Sequence, residues 1–145
     1  KSVGSRKRRL ACAQAGFDIG PAIGPSGPMT NIDLMLRLKL PKGAVFGPGK
    51  ARLLECIQSE GSISAAGRAM GMSYKRAWSL VEEMNASFAT PLVESNRGGA
   101  SGGGARVTDM GGRVLALYRA IEAQTLASAE VAEIAGMLRD VSDGK

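Results

Sequence analysis

From Pro48 onward, apolar residues recur mostly at helical spacing, and they alternate with polar ones only in short stretches. Leu53, Leu54 and Ile57 form the buried face of a first helix. Pro48 suits its opening turn, and Gly61 suits the position just past its end. Ser62 caps a second helix running to Met70. Ser73 caps a third, to about Ser87, with Tyr74, Ala77, Trp78, Val81 and Met84 as its buried stripe. Thr108 caps a long final helix through about Leu138, with Val114, Leu117, Tyr118, Ile121 and Thr125 on one side. Small residues follow, Ala129, Ala132 and Ala135. Residues 32–40 alternate and predict a short strand, broken by Pro41-Lys42-Gly43. Residues 90–94 and 105–107 are extended, and the loop NRGGASGGG at 96–104 joins them into a β-hairpin.

The second and third helices meet at Gly71-Met72-Ser73. Ala66, Met70, Met72, Ala77 and Leu80 fall where two crossing helices bury apolar groups. Gly67 falls where they approach most closely, and Gly71 where a left-handed turn is cheap for glycine. Lys75, Arg76, Ser79, Glu82 and Glu83 stay outside. This is the layout of a helix-turn-helix, whose second helix enters the DNA major groove by its N-terminal end. A plain helical hairpin with a solvated charged face is the competing reading. The hairpin beside it is then a wing, with Arg97 and Arg106 flanking its glycines. Arginine is favoured near a narrow A·T-rich minor groove. The fold class expected is mostly α with a small β-wing, a winged helix-turn-helix with a long C-terminal dimerisation helix.

Charge sharpens this picture. The chain has 145 residues and a net charge of +6. Residues 1–120 carry 17 Lys and Arg against 8 Asp and Glu, whereas residues 121–145 carry 2 against 5. A basic body with a mildly acidic tail suits a polyanionic partner. No window approaches the roughly 18 uninterrupted apolar residues of a membrane helix. Histidine is absent and there are two cysteines, Cys12 and Cys56, which removes most zinc, haem and iron–sulfur options. Cys56 lies on an apolar stripe; a bond between the two cysteines is left open. No paired carboxylates or nucleophile–base couple stands out, so an enzyme is not expected. The glycine loop lacks the Lys-Ser/Thr of a phosphate-binding loop, because Ala105-Arg106-Val107 follows it. No cofactor and no metal are expected.

Three parts are predicted. Residues 1–31 form a basic, Gly- and Pro-rich arm, read as disordered. Its Arg6-Lys7-Arg8-Arg9 run would touch phosphates, or would be a start-site remnant ahead of Met29; the remnant is preferred. Residues 32–108 are the winged domain, and residues 109–145 the long helix and a short tail.

The segments GSISAAGRAMGMSYKRAWSLVEEMN and LVESNRGGASGGGARVTDMGGRVLALY resemble the N-terminal DNA-binding domain of the molybdate-responsive (ModE-like) transcription regulators. Those regulators share their winged helix-turn-helix with the LysR-type family. The resemblance covers roughly residues 36–127. Its specific parts are Ser-Tyr-Lys-x-Ala-Trp at 73–78, Glu-Met-Asn at 83–85, the Leu-Val-Glu before the wing and the Val-Thr-x-x-Gly after it. It implies a DNA-binding dimer working in the cytoplasm on double-stranded DNA. The family's C-terminal domains bind molybdate. The chain ends at Lys145, so molybdate sensing is not expected within it, nor is a small-molecule effector.

The site follows from this layout. Ser73, Tyr74, Lys75, Arg76 and Ser79 face the major groove. Arg76 is the first candidate for a base edge, since bidentate Arg–guanine contacts are the commonest specific ones. Lys75 is assigned to phosphate, as are Ser62 and Ser64 at the preceding helix start. Arg97 and Arg106 anchor the wing, and Trp78 is core rather than a stacking platform. Val114, Leu115, Leu117, Tyr118, Ile121, Thr125 and Leu126 are the expected dimer contacts. The competing reading folds this helix back over its own domain. A protein-docking winged helix, or a nonspecific DNA-binding protein, is the alternative function.

Overall fold

The computed structural model describes residues 32–96 and 104–138. Strand β1 (Leu38–Lys39) pairs antiparallel with β2 (Val45–Phe46), Leu38 opposite Phe46. A single turn at Pro41–Gly43 joins them, with Lys42 at φ 62°. Helix α1 (Pro48–Glu60), α2 (Ile63–Ala69) and α3 (Tyr74–Ser87) follow. Then come β3 (Val93–Asn96), β4 (Gly104–Val107), α4 (Asp109–Leu126) and α5 (Ala129–Met137). This is a winged helix-turn-helix with an added C-terminal helical segment.

Short-range chemistry accounts for the helix ends. Gly61 takes a left-handed φ of 74° and its N–H returns to the Ile57 carbonyl, closing α1. Ser62, Ser73 and Thr108 each accept a hydrogen bond from the N–H three residues on, as expected of N-caps.

The core gathers Phe46, Leu53, Leu54, Ile57, Val81, Met84, Leu92 and Tyr118, all buried. Phe46 is its hub: its ring meets Tyr118 edge-on at 5.2 Å and Phe88 at 6.2 Å. The Tyr118 hydroxyl donates to the Leu36 carbonyl at 2.7 Å, tying α4 to the N-terminal segment. Burial pushes the Tyr118 phenol up to about 12, and the neighbouring Glu122 carboxylate adds to that.

Two elements differ from the sequence reading. The strand expected over 32–40 is paired only at Leu38–Lys39. Burial does alternate along it, with Ile32, Leu34, Leu36, Leu38 and Leu40 half-buried and the residues between them exposed. Alternation records which side faces the core. A ladder also needs a partner, and β2 is two residues long.

The long C-terminal helix is interrupted. Ser128 leaves helical geometry at ψ 151°, its hydroxyl accepts from Val131 N–H at 3.3 Å, and α5 begins again at Ala129. A serine followed by an acidic residue two positions on starts a helix, and this local capping interrupts the otherwise uniform run of good helix formers. The expected arm at 1–31 and the tail beyond 138 lie outside the described residues.

Candidate nucleic-acid interface

The turn between α2 and α3 sets the geometry. Gly71 has φ 72°, Met72 N–H returns to the Gly67 carbonyl at 2.9 Å, and Ser73 restarts the helix. A Cβ on Gly67 would stand 3.0 Å from Ala77 Cβ, so the two helices cross there in near contact. With Ala77, Val81 and Met84 buried, the opposite side of α3 must face solvent. Lys75 and Ser79 lie on that side and are exposed; Arg76 at its flank, and Ser73 and Tyr74 at the open N-terminal end, are exposed too. Among the described residues neither Lys75 nor Arg76 enters a salt bridge.

Tyr74 corrects one sequence assignment. The buried stripe expected of α3 does not include it: Tyr74 is 59% exposed, which agrees instead with its place among the residues expected to face the groove. At the first helical position its side chain precedes the crossing with α2, so no neighbouring element covers it. Trp78 is half-buried against the core, and its ring meets Tyr74 edge-on at 6.0 Å.

The wing is fixed to this helix by polar contacts. Asn85, in the last turn of α3, accepts from Leu92 N–H at 2.9 Å and Val93 N–H at 3.1 Å. Its amide nitrogen donates to the Val93 carbonyl at 3.0 Å. One side chain thus mimics a neighbouring strand. On the other side Ala105 N–H donates to the Gly61 carbonyl at 2.8 Å, and Thr108 N–H to that of Leu92 at 2.9 Å. Within the hairpin Arg106 forks onto one Glu94 oxygen at 2.7 and 3.1 Å. Both side chains are well exposed, so the pair contributes little to stability. Arg97 and the glycine loop lie outside the described residues.

Ser62 and Ser64 are half-buried at the start of α2. The Ser62 oxygen already accepts from Ala65 N–H at 3.0 Å, which leaves its hydroxyl proton for another partner.

The C-terminal residues split into two faces. Leu115 and Tyr118, expected at a dimer contact, are 7% and 1% exposed and belong to the chain's own core. Gly111 and Glu122 share that buried side of α4. Leu117 and Ile121 are exposed, and Val114, Thr125 and Leu126 half-buried. The sequence grouping merged two adjacent stripes: residues three and four apart sit together on a helix, so neighbouring stripes share a border.

Several contributors were not read from sequence. Lys50 is buried, donates to the Val45 carbonyl and pairs with Glu83 at 2.9 Å, joining α1 to α3. Arg119 bridges Glu55 on α1 and Glu122 on α4, both at 2.7 Å. Burial works against its charge, but the hydrogen bonds to Glu55 and Glu122 prevail and raise its pKa further. Asn85 stood in a quoted motif without a role; an amide at a helix end just before an extended segment was the available signal. Among the described residues no group of three metal-ligating side chains occurs. No described helix is long and apolar enough to cross a membrane.

Residues 49–112 match the family of bacterial regulatory helix-turn-helix proteins of the lysR type. The chain is 41% identical over 96 residues to the molybdenum transport protein ModE of Azotobacter vinelandii, which covers 65% of this chain and 36% of that protein. It is 48% identical over 81 residues to the molybdenum-pterin-binding protein MopB of Rhodobacter capsulatus, covering 56% and 30%. It is 41% identical over 86 residues to the DNA-binding transcriptional dual regulator ModE of Escherichia coli K12, covering 59% and 33%. The chain thus spans about a third of the length of the curated relatives it matches.

Proposed function

We infer, from a chain whose residues 49–112 form a ModE-like helix-turn-helix domain of the LysR type, that it is a sequence-specific DNA-binding transcription regulator acting as a homodimer in the cytoplasm. One observation carries the reading. The capped N-terminal end of α3 is exposed and cationic, and among the described residues neither Lys75 nor Arg76 enters a salt bridge. Aligned peptide dipoles add partial positive charge at the same end. A helix with that end outward fits the major groove, about 12 Å wide.

In this reading Arg76 contacts a guanine edge, Lys75 a phosphate, and Ser73 and Ser79 hydrogen-bond beside them. Ser62 and Ser64 approach the backbone. Arg106 exchanges Glu94 for the DNA backbone or minor groove, and Arg97 does the same from the wing loop. The exposed side of α4, with Leu117 and Ile121, packs on a second copy. Two recognition helices then meet half-sites about 34 Å apart or a multiple of it. Molybdate sensing is not part of the proposal. The relatives' molybdenum-related names describe proteins about three times the aligned length.

An unbiased DNA selection with the purified protein, with and without molybdate at physiological salt, tests this. An inverted-repeat motif bound equally in both conditions is expected. A motif bound only with molybdate would reveal an anion site in this chain, and no motif would favour the protein-docking or nonspecific reading. Against the selected duplex, Arg76→Ala should lose about 1–3 kcal/mol and relax one base position. Unchanged affinity and preference would remove Arg76 from the interface.

A further inference from the structure

Tyr74 is the large apolar side chain that α3 leaves exposed among the described residues, at 59%. It stands in the cluster of Ser73, Lys75 and Arg76, where every other exposed group is polar. A lone exposed aromatic is ordinary on a protein surface. This one has a second ring beside it. The Trp78 ring, one turn along α3, meets it at 6.0 Å and 74°, the preferred edge-to-face arrangement. Trp78 itself packs against the core. The Trp78 edge thus gives the exposed Tyr74 ring a preferred resting place at the head of α3.

In the major groove the apolar feature that a base pair offers is the thymine C5-methyl group. We propose that Tyr74 is a specificity-determining residue that packs its ring on a thymine methyl in each half-site, and that Trp78 is the positioning residue holding that ring. The assignment rests on the DNA-binding reading above. It explains why an aromatic pair, rather than a polar residue, stands at the head of a cationic recognition helix. Arg76 and Tyr74 then divide the reading, guanine by hydrogen bonds and thymine by apolar contact.

The test uses the whole chain and the duplex obtained by selection. Each thymine in turn is replaced by deoxyuridine, which deletes the methyl and leaves base pairing intact. One replacement per half-site should weaken wild-type binding about fourfold, the scale of one buried methyl-sized group. Tyr74→Ala should bind thymine and uracil duplexes alike, whereas Tyr74→Phe should keep the preference. Trp78→Leu should reduce it, and Trp78→Phe, which retains an aromatic edge, should restore it. The proposal falls if no uracil replacement matters, or if Tyr74→Ala keeps the full thymine preference. It falls too if Tyr74→Phe loses as much as Tyr74→Ala, since the hydroxyl on a phosphate would then be the contact. In those cases the selected motif leaves the DNA-binding reading standing. A selection without any motif removes both.

Discussion

A methyl group added at Gly111 has nowhere to go. Its Cβ would stand 2.3 Å from the Leu92 carbonyl oxygen and 2.7 Å from Val107 Cγ1. The carbonyl cannot swing aside, because Thr108 N–H and the Thr108 hydroxyl both donate to it. Gly111→Ala should therefore cost about 3 kcal/mol, the upper part of the usual overpacking range. The check is a urea midpoint that falls at unchanged slope; a shift under about 0.5 kcal/mol would mean the wing joint is looser than it looks. Gly67 is milder, since its Cβ would meet the Ala77 methyl at 3.0 Å. Gly67 was legible because its neighbour Ala77 lies just across the turn of a known motif. The significance of Gly111 depends on a contact across the wing.

Tyr118 gives a second residue-scale expectation. Its folded-state pKa of about 12 lies above the ordinary value of 10.0. The neutral phenol is thus the form the fold prefers. Its stabilisation is complete below pH 10 and is lost as pH rises from there through about 12. In Tyr74→Phe the remaining tyrosine is Tyr118. Its ultraviolet tyrosinate signal should appear only as that alkaline window is crossed, together with loss of folded circular dichroism. A tyrosinate signal complete near pH 10 with the fold intact would contradict the burial of this ring.

Among the elements, α3 is hydrogen-bonded to the segment that begins the wing through Asn85. Asn85→Ala would leave the Leu92 and Val93 amides and the Val93 carbonyl without their present partner, both residues being buried. About 3 kcal/mol of destabilisation is expected. In calorimetry this should lower the melting temperature, while DNA affinity measured well below it falls less than in Arg76→Ala. Full loss of binding in a folded Asn85→Ala protein would instead mark Asn85 as a contact. Helix starts were readable in advance, because a cap involves residues three apart: Ser62, Ser73 and Thr108 all act as expected. Ser128 carries the same signal, with Glu130 after it, but the alanines around it fit a continuous helix equally well. The strand at 32–40 was readable as a burial pattern and not as a ladder, since pairing depends on where Val45 and Phe46 are brought.

At the scale of the whole molecule, the outer side of α4 keeps an apolar surface in solvent. Leu117 and Ile121 are 48% and 40% exposed, and Ile134 and Met137 on α5 are exposed too. If this face joins two copies, Ile121→Glu should give a folded monomer by sedimentation, with much weakened binding to the inverted repeat. Leu115→Ala should act differently. It should cost about 2–4 kcal/mol of folding stability as a cavity in the core, while the protein that remains folded still associates. An Ile121→Glu protein that sediments as a dimer would move the interface elsewhere.

Sequence by itself determined what depends on near neighbours along the chain. It set the first three helices and the starts of α2, α3 and α4, the glycine turn at Gly71, the hairpin and the cationic start of α3. These follow from backbone sterics and from residues three or four apart. Tertiary structure decided which side of each element meets water. It took Leu115 and Tyr118 into the core, left Tyr74 out of it, and joined Asn85 to the wing and Arg119 to α1. Each of those outcomes depends on a partner distant in sequence, and helical periodicity identifies an apolar stripe without naming what will cover it.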